Sequence, residues 1–108
     1  MDIKMELNIL ERFTLLGLLP KEGSFMTLKL IRDLSNKVGF SAEELTEYEI
    51  TQTGESVHWN TKKDKGKSFN FKIKEIELVN EQLKSLDIDK KLTNQHFSIY
   101  EKFNTEQN

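Results

Sequence analysis

The densest apolar stretch of the chain runs from Met5 to Phe40, M-E-L-N-I-L-E-R-F-T-L-L-G-L-L-P-K-E-G-S-F-M-T-L-K-L-I-R-D-L-S-N-K-V-G-F. Leu7, Leu10, Phe13 or Thr14, and Gly17 or Leu18 recur at helical spacing. Ile9, Leu15, Leu16 and Leu19 widen the stripe until little of its last two turns is polar. The spacing predicts a first helix from Met5 to Leu19, ended by Pro20, whose ring pushes the preceding residue out of the helical region. A turn over Lys21-Glu22-Gly23 leads to a second helix capped by Ser24. Leu28, Ile31, Leu34 or Ser35, and Val38 form its buried stripe, and Gly39 is expected in the left-handed position that closes it. In Phe40-Ser41-Ala42-Glu43-Glu44-Leu45, Ser41 with Glu44 spells a capping box and Phe40 with Leu45 a hydrophobic staple, which marks a short third helix.

From Tyr48 the period falls to two. Tyr48 and Ile50, Val57 and Trp59, then Phe69, Phe71 and Ile73 alternate with polar neighbours, predicting three strands with turns at Thr53-Gly54-Glu55 and Thr61 to Lys67. Trp59 is expected in the core and His58 on the wet face. Ile76, Val79, Leu83 and Leu86 restart helical spacing directly after the third strand. Thr93 caps a last helix that stacks Phe97, Tyr100 and Phe103 on one side, with Leu92 stapled to Phe97. The expected fold is α+β, with four or five helices on one face of a three-stranded antiparallel meander, in the order ααα-βββ-αα. Residues 1–103 form one domain and 104–108 a frayed polar tail.

Composition narrows the classes. A chain of 108 residues, 36% hydrophobic, supports one core. Sixteen basic against eighteen acidic residues, net −2, give no overall field to gather nucleic acid or an anionic membrane, so any such contact must be local. The absence of cysteine excludes disulfides, thiolate metal sites and cysteine nucleophiles. No apolar run approaches the roughly 20 residues of a membrane span, and no leader follows Met1, so a cytoplasmic protein without membrane attachment is expected.

Candidate chemistry is sparse. His58 and His96 lie in different elements with no metal-ligand spacing, and the five glycines are scattered singly rather than gathered into a phosphate loop. Gly17, inside a helix, suggests close approach of another backbone. Neighbouring carboxylates such as Glu43/Glu44, Glu75/Glu77 and Asp87/Asp89 point apart on a helix rather than converging for acid–base work. The expectation is therefore no cofactor, no metal and no enzymatic activity. Two charged clusters remain as candidate interaction residues: Glu43, Glu44 and Glu47 on the third helix, and Lys62, Lys63, Lys65 and Lys67 on the tip of a hairpin. Each can be a plain solvated surface. Read functionally, they pair with a protein partner, including the opposite cluster of a second copy. In the alternative reading the lysine tip is the wing of a winged-helix module laid on phosphates, although an acidic third helix would be repelled there.

The E-R-F-T-L-L-G-L-L-P-K-E-G-S of positions 11–24, the L-I-R-D-L of 30–34 and the K-L-T-N-Q-H-F-S-I-Y-E-K-F of 91–103 resemble small uncharacterised proteins encoded by phages and prophages. That group carries no assigned activity, so the resemblance implies a phage or mobile-element origin and an accessory role. The function expected is a non-enzymatic interaction or structural module, with nucleic-acid binding as the alternative.

Overall fold

The computed structural model describes residues 2–105. Strand β1 (Asp2–Leu7) is followed by helices α1 (Ile9–Leu18), α2 (Phe25–Val38) and α3 (Ala42–Glu47). Short strands β2 (Thr51–Thr53) and β3 (Ser56–His58), a 3₁₀ turn (Thr61–Lys63) and strand β4 (Lys67–Lys72) come next. Helices α4 (Ile73–Ile88) and α5 (Asn94–Thr105) complete the chain. The α+β class and the five helices agree with expectation. The three-stranded meander does not form.

Its place is taken by two separate antiparallel ribbons, β1 with β4 and β2 with β3. The first residues are a strand because Ile3, Met5 and Leu7 alternate with Asp2, Lys4 and Glu6, a period of two that falls on one face. That face meets β4 in register, with Ile3 opposite Phe71 and Met5 opposite Phe69. α1 therefore starts four residues later than its spacing predicts. Asn8 caps it by accepting the Glu11 N–H at 2.8 Å, while Glu11 accepts the Asn8 N–H at 2.9 Å, a reciprocal capping box.

The core lies between the β1–β4 ribbon and the helices: Met5, Leu7, Leu15, Leu34, Val38, Phe69, Phe71, Ile76, Val79, Leu83, Ile99 and Phe103 are buried together. Each of the four longer helices touches the ribbon region with one end. α1 begins beside β1 and α4 continues β4 without a linker. Lys37 near the end of α2 donates to the Asn70 carbonyl at 2.7 Å, and Lys102 near the end of α5 donates to the Glu6 carbonyl at 2.7 Å. The β2–β3 hairpin stands away from this core, with Thr51–Thr53 wholly exposed. A ladder of rings, Phe40, Phe13 and Trp59, with centroids 4.7 and 5.8 Å apart, ties it to α1.

Several local expectations need correction. Trp59 is half-buried on that ladder rather than in the core, though Phe69 and Phe71 are buried and His58 and Lys72 exposed as the alternation requires. Gly39 is extended (φ −66°), not left-handed; a Cβ there would meet the Ser35 carbonyl oxygen at 2.6 Å, which is why it lacks one. The left-handed closing positions are Glu49 after α3 and Lys90 after α4. The Ile50 and Lys91 N–H groups reach back to the carbonyls of Leu45 and Leu86, closing a Schellman turn at each. Gly17 faces open space and no other backbone approaches it. Leu28 and Phe97, expected inside, are exposed. Asn104 and Thr105, placed in the tail by pattern, are the last residues of α5, and 106–108 lie outside the described residues.

Candidate functional site

Arg12 sits on α1 in the middle of the apolar run, so its guanidinium must be either exposed or fully partnered. It is 1% exposed. Nε donates to the Val38 carbonyl at 3.0 Å and Nη2 to the Gly39 carbonyl at 2.7 Å, which satisfies the open carbonyl end of α2. Nη1 and Nη2 grip both oxygens of Glu44 at 2.9 and 3.0 Å. The cation lies 3.9 Å from the Phe40 ring centroid and 5.1 Å from that of Phe69. One side chain thus joins α1, α2, α3 and β4.

Glu44, expected on a partner-facing patch, is turned inward. Besides Arg12 it accepts the Ser41 N–H at 3.1 Å, closing the predicted capping box, and Lys67 Nζ at 3.3 Å. The Arg12 hydrogen bonds hold its pKa down at about 2, against a smaller upward push from burial. The acidic helix and one of the four candidate lysines therefore meet within a single chain. A groove of about 500 Å³ runs beside them, lined by Glu43, Glu44, Glu47, Lys67, Lys37 and the turn between α2 and α3. Its carboxylates and ammonium groups nearly balance, so it presents no strong field of either sign.

The remaining lysines do not lie on a hairpin tip. Because β3 pairs with β2 and β4 with β1, Thr61 to Gly66 is a crossover between two ribbons, and the hairpin on which the wing reading rested is absent. Lys63 pairs with exposed Glu49 at 3.0 Å, and Lys62 and Lys65 are exposed. Asp64 pins the crossover to the fold by accepting the Ile9 N–H at 3.2 Å, at the start of α1. Gly66 (φ +74°) follows, where a Cβ would meet Glu6 Oε1 at 2.4 Å. A second groove, of about 550 Å³, opens here between Lys4, Asp64, Lys65, Glu11 and Lys102.

Two further charged joints fasten helices to one another. Lys102 reaches buried Glu11 at 2.8 Å, and Lys37 reaches buried Glu75 at 2.7 Å. Burial pushes the Glu11 pKa up, but the bonds from Lys102, Asn8 and Ser98 outweigh it and leave it lowered. His96 is absorbed locally, its Nδ1 accepting the Thr93 N–H at 3.0 Å ahead of α5, and His58 is exposed on the short hairpin. Among the described residues no three His, Asp or Glu side chains gather as a metal-holding group, and no helix is long and apolar enough to cross a membrane.

The surface that the apolar spacing did not reveal is hydrophobic. Phe25 (79% exposed) and Met26 (64%), with Leu28, occupy the first turn of α2, off the stripe that Leu34 and Val38 bury; Ile88, at the far end of α4, is 80% exposed. The available signal was the clash between Phe25-Met26 and the inward face set by Leu34 and Val38. No family model matches the chain, and the searches of curated proteins and of solved structures return no match.

Proposed function

We propose that the protein is a small non-enzymatic interaction module, an accessory protein of phage or mobile-element origin, which docks a protein partner through the start of α2. The observation that carries this is the exposure of Phe25, Met26 and Leu28 together on the first turn of one helix. Side chains of this size left in water on one patch mark an interaction surface more often than scattered single exposures do. The charged clusters support the reading from the other side. Arg12, Glu44, Lys67, Glu11, Lys102, Lys37 and Glu75 are engaged between elements, and they hold the fold rather than converge on a substrate.

The test compares three proteins in affinity capture from the native host, identified by mass spectrometry: wild type, a Phe25→Ser/Met26→Ser double variant, and a variant with Lys62, Lys63, Lys65 and Lys67 neutralised. A partner held by wild type and by the lysine variant but lost from the serine variant supports the proposal. Micromolar binding of duplex DNA at physiological salt, lost in the lysine variant, overturns it in favour of nucleic-acid binding.

A further inference from the structure

Among the described residues β1 and β4 each have one strand neighbour, so each leaves one edge of the ribbon unpaired. The Lys72 N–H shows which backbone groups point out along those edges. It donates to Glu75 Oε1 at 2.8 Å and is therefore not spent on β1, so Lys72 and its opposite residue, Asp2, form a pair that exchanges no ladder bonds. The two kinds of pair alternate along an antiparallel ladder. Lys4 with Asn70, and Glu6 with Ser68, thus also turn their N–H and carbonyl groups away from the other strand. The Asn70 carbonyl accepts Lys37 Nζ and the Glu6 carbonyl accepts Lys102 Nζ, each at 2.7 Å. One outward carbonyl on each edge is covered by a lysine.

The two closures are built alike about the central pair Met5–Phe69. Counting onward from that pair, the covered carbonyl is on the next residue (Glu6, Asn70), the helix N-cap is third (Asn8, Lys72) and a buried glutamate is sixth (Glu11, Glu75). Each glutamate takes its own N-cap N–H and the same lysine that covers the carbonyl, Glu11 from Lys102 at 2.8 Å and Glu75 from Lys37 at 2.7 Å. A buried carboxylate tethers each ammonium over its edge, where a free surface lysine would swing in water. We infer that Lys37 and Lys102 are edge guards, which keep a second copy of this chain from adding its own strand to the ribbon. An unpaired edge is a template for strand addition. An incoming N–H cannot reach a carbonyl already held by a tethered ammonium, and a strand laid over that charge would strip it of water. Both edges need a guard, because joining β1 of one copy to β4 of the next does not close and grows into open-ended assemblies.

The experiment frees one edge at a time without stranding a buried charge: Lys37→Leu/Glu75→Gln at β4 and Lys102→Leu/Glu11→Gln at β1, glutamine keeping the bond to the N-cap N–H. In sedimentation velocity across a wide range of concentration, each double variant is expected to self-associate at least about tenfold more tightly than wild type. Lys37→Arg and Lys102→Arg keep donors over the carbonyls and should sediment as wild type does. Hydrogen exchange locates the contact: on association the Ser68 and Asn70 amides should slow in the β4 variant, and the Lys4 and Glu6 amides in the β1 variant. Double variants that keep their far-ultraviolet dichroism and sediment like wild type overturn the inference. So does association that leaves these amides fast, or that Phe25→Ser abolishes, since the contact then lies on the α2 patch. Loss of the folded state in both double variants assigns the two joints to stability alone and overturns it as well; if one unfolds, the other edge decides.

Discussion

Arg12 and Glu44 show how one pair can decide a fold's local geometry. A guanidinium with four donated bonds and two aromatic faces is stable inside the protein only while its carboxylate stays. Breaking such a buried pair from one side typically costs about 3–5 kcal/mol, because the other charge is left uncompensated. Arg12→Met and Glu44→Leu should each lower the urea midpoint sharply, and the double variant should lose markedly less than the sum of the two. An additive cycle would remove the pair from its structural role. Gly17 predicts the opposite sign: with nothing near its missing Cβ, Gly17→Ala should stabilise the protein by about 1 kcal/mol, raising the thermal midpoint by roughly 4–8 °C. A fall in the midpoint would mean that the position is tighter than its open surroundings imply.

The elements differ in what their loss should do. β1 is the ladder partner of β4 and brings Met5 and Leu7 into the core, so deleting residues 2–7 should abolish cooperative unfolding, read as loss of near-ultraviolet dichroism. The β2–β3 hairpin is peripheral. Trp59 is half-buried and stacks on Phe13, which in turn stacks on Phe40, so Trp59→Ala should cost about 2 kcal/mol rather than prevent folding. Faster hydrogen exchange should then be confined to Thr51–His58. A global collapse of protection would show that the hairpin is part of the core after all.

Acid should unfasten the molecule at its helix joints. Glu44 has a folded pKa of about 2 against an ordinary 4.5, so its contribution is fully present above pH 4.5 and is lost as the pH falls toward 2. The shift corresponds to roughly 3 kcal/mol at most, and screening by water on the Lys67 side reduces it to about 2 kcal/mol. Glu11, also lowered, adds in the same direction over the same descent. Urea midpoints measured from pH 7 to pH 2.5 should fall most steeply below pH 4.5, and Glu44→Gln should flatten that fall while lowering the neutral value. A profile flat down to pH 3 would contradict the pairing.

Local chemistry made part of this architecture readable from the chain alone. Caps and breakers act within a few residues of backbone, so Pro20, Ser24, Ser41 with Glu44, and Thr93 marked helix boundaries that the structure keeps, and the alternation around Phe69 and Phe71 gave the buried face of β4. The Asn8–Glu11 box carried the same kind of signal, masked by the apolar residues on either side of it, which fit helical spacing as well as they fit a strand followed by a helix. Pairing was not readable. Alternation says that a strand has a dry face but not which strand lies beside it, and the 61 to 66 segment had the length of a hairpin loop while serving as a crossover. The fates of Arg12, Glu44 and Leu28 were likewise set by what folds against them. Glu44 reads as one more acid on a solvated helix until Arg12, thirty-two positions earlier, arrives beside it, and Leu28 reads as core until α2 turns Leu34 and Val38 inward and leaves its first turn uncovered. Burial and charge pairing are properties of surfaces brought together over long sequence separations, and only the folded chain supplies those surfaces.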